Sequence, residues 1–124
     1  MTEPHPFRRA AEAKDVELMT EALREDVVLH SPILFRGFEG REMVGQLLTH
    51  VAATLEDFVY TDEIAGEDTV CLRFKAKVGE LELEGIDFLE LDEHGKVVEL
   101  TVFMRPLSAI NAFNEQMKQR LEAA

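Results

Sequence analysis

The residue with most chemical potential in this chain is Asp87. It lies in the run Leu81-Glu82-Leu83-Glu84-Gly85-Ile86-Asp87-Phe88-Leu89-Glu90-Leu91, and alternate residues of a strand point to opposite faces. Leu81, Leu83, Gly85, Asp87, Leu89 and Leu91 therefore share one face, on which Asp87 is the single acid. Burial among leucines strips water from the carboxyl, disfavours its charged form and raises its pKa. An unpaired buried charge is costly, so the group must find partners or keep its proton. Two roles satisfy that constraint: a structural acid bonded to backbone or to a helix residue, and a proton or hydrogen-bond donor facing a cavity.

Other candidates are fewer. His50 sits between Leu47 and Val51, at the border of an apolar helical stripe. It is placed either to act as a base for a ligand held at Asp87 or to pack with one hydrogen bond. Tyr60 is the one phenol of the chain, and an inward turn of its strand face would make its hydroxyl a donor to the same pocket. His30 and Ser31 are adjacent, but neighbouring strand residues face opposite ways and cannot pair as nucleophile and base. Ser31 reads as a small wall residue. The four histidines (His5, His30, His50 and His94) lack close pairing or HExxH spacing, so no metal site is expected. Cys71 has no CxxC partner, and Gly37 and Gly40 form a plain loop before a helix.

The elements that position these residues are legible in the periodicity. Pro4 and Pro6 form a stiff leader to a first helix at Phe7, Ala10, Ala11 and Lys14. Asp15 is placed to cap a second helix, with Val16, Met19, Ala22 and Leu23 on one face, expected to end near Asp26. A short β-rich run, Val27 to Ser31, stops at Pro32. A third helix begins near Arg41 and carries Val44, Leu47, Leu48, Val51 and Leu55. The period then changes from helical to two. Phe58 to Ala65 reads as a strand. Three longer strands follow, with Val70, Leu72, Phe74, Ala76 and Val78 on one face, then the Asp87 strand, then Val98, Leu100, Val102 and Met104. Gly79-Glu80 and Asp92 to Lys96 fit hairpin turns. Pro106 ends the sheet, and a last helix carries Leu107, Ile110, Phe113, Met117 and Leu121. Helices followed by a meander argue an α+β fold, with helices on one side of an antiparallel sheet. The other sheet face mixes Ile86, Phe88 and Phe103 with charges, a patch that a second copy of the chain is expected to cover.

With 124 residues, 46% hydrophobic and 31% charged, the composition is that of one globular domain spanning residues 1–124. The formal charge of −12 without a basic stripe argues against nucleic acid and against an anionic membrane surface. One cysteine excludes an internal disulfide and suits a reducing compartment. The opening MTEPHPFRR has no apolar signal core, so cytoplasm is the expected location.

The stretch Ile86 to Val98, IDFLELDEHGKVV, resembles the strand-turn-strand of ketosteroid isomerases, members of the NTF2-like superfamily that also holds SnoaL-like polyketide cyclases. Lys14-Asp15 and Asp26-Val27-Val28-Leu29-His30-Ser31-Pro32 match the same family. The resemblance implies a cone of three N-terminal helices on a strongly curved antiparallel sheet, closed by a C-terminal helix. It places Asp87 on the family's oxyanion-hole aspartic acid, Phe7 where its catalytic tyrosine stands, and Ser31 where its general base stands. The logic of a protonated aspartic acid serving as donor is the one long established for ketosteroid isomerase. Steroid isomerisation by that route loses its base here, since a serine hydroxyl takes no proton at neutral pH unaided. The expectation is a cone that binds a small, mostly apolar molecule without a cofactor. Phe7, Ser31, Phe74, Leu89, Val102 and Met104 would line it and Asp87 would orient the ligand. Metal-free isomerase, cyclase or dehydratase chemistry is one outcome, with Asp87 as the acid. A non-catalytic carrier, or a dimeric interaction domain with a filled pocket, are the others.

Overall fold

The computed structural model of the chain describes residues 3–123. Helix α1 (Pro6–Glu12) starts with proline at its first turn, and the His5 ring accepts the Phe7 amide hydrogen as an N-cap. Helix α2 (Val16–Glu21) is capped by the Asp15 carboxylate, which accepts from the Leu18 amide at 3.1 Å. Then come strand β1 (Leu23–His30), the two-residue β2 (Phe38–Glu39) and helix α3 (Arg41–Thr54). Strands β3 (Glu56–Ala65), β4 (Thr69–Val78), β5 (Leu81–Leu91) and β6 (Val97–Arg105) form the meander, and α4 (Leu107–Ala123) ends the described chain.

The six strands make one sheet in the order β2-β1-β6-β5-β4-β3. The expected antiparallel meander is present in full; β1 adds to it in parallel beside β6. The alternation of β4 holds, with Val70, Leu72, Phe74, Ala76 and Val78 all buried. Arg105-Pro106 closes β6 through a cis peptide bond.

Three local expectations are corrected by the structure. Helix α2 stops at Glu21 rather than near Asp26, because the chain leaves it to pair with β6. There the Val97 amide donates to the Ala22 carbonyl at 3.0 Å, and Leu23 lies opposite Val97. Edge pairing satisfies backbone groups that one more helical turn would have satisfied locally, and burial of Leu23, Val27 and Leu29 decides the outcome. In β6, Val97 is buried in place of Val98. Glu90 faces Glu99 while Leu91 faces Val97, so Val98 is the extra residue of a bulge and the inward phase changes there. Leu81, assigned to the apolar face, is largely exposed, because it follows the Gly79 turn beyond the reach of the helices.

Curvature is built in at identifiable places. The β3 register on β4 shifts twice, between Glu56 and Val59 and between Tyr60 and Asp62, and Asp57 takes a positive φ of 52°. Such irregularities bend a strand and increase its twist. In β5 the sheet folds tightly about Gly85, where a β-carbon would stand 2.2 Å from the Phe103 carbonyl oxygen and 2.6 Å from the Phe74 ring. The first contact is with backbone, which no rotamer change relieves. Gly85→Ala is expected to cost about 1–3 kcal/mol through overpacking, read as a lower urea midpoint; an unchanged midpoint would show that the bend tolerates a side chain.

Candidate functional site

The concave face of the sheet and the helices packed on it enclose a cavity of about 190 Å³. That exceeds the ~150 Å³ apolar hole that holds a benzene molecule. Its walls come from α1 and α2 (Phe7, Met19), from α3 (Leu47, Val51) and from α4 (Phe113, Met117), with the Ser31–Leu34 loop completing them. The α3 side chains facing it, Leu47, Leu48, Val51, Ala52 and Leu55, follow helical spacing.

Asp87 lies on the cavity wall and is 8% exposed. The Tyr60 hydroxyl donates to its Oδ2 at 2.7 Å across two strands of the meander. Among the described residues this is the one hydrogen bond to the carboxyl, and it leaves Oδ1 free for a ligand. Burial pushes the Asp87 pKa up to about 6, and the Tyr60 hydrogen bond opposes that rise. Burial likewise raises the Tyr60 phenol well above its ordinary value, and the neighbouring Asp87 charge adds to the rise. The phenol therefore stays protonated and donating. The carboxyl exchanges its proton close to neutral pH.

Tyr60 is held by what surrounds it. Phe58 meets its ring edge-on at 4.8 Å and 89°, and Phe58 in turn stacks on Phe74 at 5.0 Å. Aromatic pairs of this kind each add about 0.5–1.5 kcal/mol beyond burial. Behind the ring, the Arg8 guanidinium lies 5.9 Å from the ring centroid and donates to Glu63 Oε1 at 3.2 Å. The His5 amide donates to Glu63 Oε2, so α1 is tied to β3 at the level of the phenol.

Of the residues anticipated as pocket wall, Phe7, Ser31, Phe74, Val102 and Met104 lie on the cavity, as do Asp87 and Tyr60. Leu89 does not line it: it is fully buried in the packed core, two residues along β5 from Asp87. His50 is absent from the lining as well. One residue before Val51 on α3, it is turned about 100° around the helix axis from that side chain and falls outside the stripe formed by Leu47, Leu48, Val51 and Ala52. Ser31 Oγ accepts the amide hydrogens of Ile33 and Leu34 at 3.3 and 3.2 Å, a loop-closing role with no base beside it. His30 points to the other sheet face, where its Nε2 lies 3.6 Å from Glu99.

Lys14 and Asn114 also line the cavity, and neither was anticipated as a wall residue. Their signal was positional: Lys14 continues the Phe7 and Ala11 helical face, and Asn114 follows Phe113 on α4. Among the described residues no group of three or more His, Cys, Asp or Glu side chains is arranged to hold a metal ion.

The raised Asp87 pKa has a signed consequence for stability. Its folded pKa of about 6 lies above the ordinary 3.8, so the folded state binds more protons than the unfolded chain between those values. Stability is therefore highest below about pH 4 as far as this group is concerned, and it falls as pH rises to 6 and beyond, by on the order of 3 kcal/mol. Asp87→Asn is expected to gain on the wild type steadily across that window in paired urea titrations. A difference between the two proteins that stays flat with pH would show that the carboxyl titrates normally.

A SnoaL-like domain profile matches residues 6–100. A steroid delta-isomerase from Pseudomonas aeruginosa is 33% identical, with a TM-score of 0.89 over 93% of this chain and 85% of that one. An uncharacterised bacterial protein with a cystatin-like fold from Silicibacter pomeroyi is 30% identical, with a TM-score of 0.90 over 95% and 86% of the two chains. A de novo designed protein with a curved β-sheet shares the fold alone, at 15% identity and a TM-score of 0.69, over 92% of this chain and 99% of that one. No curated protein sequence matches. With a family profile spanning most of its length and a curved sheet wrapped around a buried acid, the chain belongs to the SnoaL-like family of the NTF2-like superfamily.

Proposed function

We propose that this protein binds a small, mostly apolar molecule in its cone and orients it by one hydrogen bond to Asp87. The observation that supports this reading is a roomy apolar cavity whose wall carries a single acid, with one oxygen held by Tyr60 and the other uncommitted. Ligand sites commonly pair an apolar lining with a few convergent polar groups. The protonation state of Asp87 selects the ligand group. Above pH 6 the carboxylate accepts from a hydroxyl; below it the acid donates to a carbonyl.

Acid–base turnover is the second reading, and the 33% identity to a steroid delta-isomerase favours it. Isomerisation, cyclisation or dehydration of a carbonyl-bearing substrate would use Asp87 as the acid. A second carboxylate or an imidazole base is missing from the described lining, since Asp87 is its only acid, no histidine is on it and Ser31 is engaged with two amides. Binding survives that loss, whereas proton abstraction from carbon does not.

The outer sheet face is the proposed contact with a second copy of the chain. Phe103 is 57% exposed there, beside half-buried Ile86 and Phe88. Arg73 and Arg105 flank Glu84 at 3.6 and 3.0 Å, so the face carries both signs and is complementary to itself under two-fold symmetry. The lone Cys71 and the acidic composition suit a cytoplasmic setting; among the described residues no helix is long and apolar enough to cross a membrane.

Isothermal titration with 2-naphthol and naphthalene tests the binding role. At pH 7.5 naphthol is expected to bind roughly tenfold or more tighter than naphthalene, the worth of a hydrogen bond to a charged group. Asp87→Asn should narrow that gap while naphthalene binding persists. Silence of both probes would remove the small-molecule reading. Sedimentation equilibrium at micromolar concentration should give a dimer that Phe103→Glu dissociates, and a wild-type monomer would contradict the paired-sheet contact.

A further inference from the structure

Charge is unevenly placed about the cavity: Asp87 and Lys14 are on its lining, and Arg120 lies just outside it, next to Leu121 in the chain. Asp87 stands on its inner wall, while α3 ends beside its mouth, and two cations gather on that helix end. Lys14 Nζ donates to the Leu55 carbonyl at 3.3 Å, and Arg120 Nη2 donates to the Ala53 carbonyl at 2.9 Å. Both thereby satisfy carbonyls that lack partners within the helix. That task uses one donor from each side chain, out of three on lysine and five on arginine. Arg120 Nε is shut off from solvent with no hydrogen-bond partner. Among the described residues neither cation forms an ion pair with an acid. In a chain of formal charge −12, two uncompensated cations on one helix end are a local reversal of the prevailing field.

Two walls measure the distance from the interior to this end. Phe7, Ala11 and Lys14 line one wall, passing from buried to exposed. Phe113, Met117 and Leu121 line another and do the same. At 1.5 Å per residue the α4 run spans roughly 12 Å, while α1 ends at Glu12 and Lys14 follows it in the turn before α2. They converge on the α3 terminus, where Thr54 Oγ1, which donates to the His50 carbonyl, lies 3.6 Å from the Met117 sulfur.

We propose that the ligand is a small amphiphilic carboxylic acid, with its apolar body in the cavity and its carboxylate between Lys14 and Arg120. The inference rests on the binding role proposed above and specifies the class of molecule bound. Orientation follows from the charges. A carboxylate pointing inward would face the Asp87 carboxyl, whereas one at the mouth meets two cations with unused donors.

Octanoate, 1-octanol and octan-1-amine share a body and differ in head group, and isothermal titration at pH 7.5 and low salt compares them. Octanoate is expected to bind roughly five- to tenfold tighter than octanol, with the amine weakest, and added salt should shrink the preference. Lys14→Gln and Arg120→Gln keep an amide donor for the Leu55 and Ala53 carbonyls. Each should lower octanoate affinity toward that of octanol and leave octanol unchanged. Should a glutamine variant fail to fold, the wild-type head-group and salt series decides alone. Equal binding of acid and alcohol overturns the anionic head and leaves the cavity's binding role standing. Octanoate that tightens in Asp87→Asn and ignores both glutamine variants puts the head at the wrong end and also overturns it. Silence of the octyl series with naphthalene still bound sinks this inference alone; silence of naphthalene as well sinks both.

Discussion

A carboxyl group in an apolar hollow needs a partner, and Tyr60 supplies it. The 2.7 Å hydrogen bond from the phenol to Asp87 joins β3 to β5 across the width of β4. A flat sheet would hold those side chains about two strand spacings apart, close to 10 Å. Curling the sheet brings its edge strand toward its centre and shortens the span that the phenol and the carboxyl must bridge. The β3 register shifts and the side-chain-free position at Gly85 provide that curl. Remove the curl, and the acid loses its one partner while its desolvation remains.

The same geometry explains why space is left inside. Phe58 and Phe74 stack on the curled wall, and Tyr60 meets both of them edge-on. Helices α1 and α4 then roof the hollow with Phe7 and Phe113 without filling it. A designed protein with a curved sheet reaches a similar architecture at 15% identity. The cone is thus a property of strand curvature more than of any particular core sequence.

The relation to a steroid delta-isomerase is one of shared fold at 33% identity. Phe7 gives an apolar wall where the resemblance places a tyrosine, and Ser31 closes a loop where it places a base. The phenol that does reach the acid arrives from β3 and points its proton at Asp87 rather than at a ligand. That arrangement stabilises the ionised carboxyl against burial and sets its pKa close to neutrality. Asp87 is thereby suited to either accept or donate a hydrogen bond, depending on pH.

Strand periodicity alone placed Asp87 on the inner face, and it did so because the alternation holds along β4 and from Leu83 to Leu89 on β5. The helix faces, the Asp15 cap and the hairpin glycines were equally readable, being set by contacts within a few residues. Where α2 ends and which valine of β6 turns inward were not, since the first depends on pairing with a segment some seventy residues on and the second on a bulge in the β5–β6 register. The same holds for the site. An acid on an apolar face announces itself in the sequence, but its partner Tyr60 is 27 residues away and its phase depends on a bulged strand. Lys14 and Arg120 looked like ordinary surface cations, and only the tertiary fold brings the turn between α1 and α2, and helix α4, to the end of α3. Local patterns are decided by neighbours along the chain; the cavity and its charges are decided by curvature, which no short stretch of sequence contains.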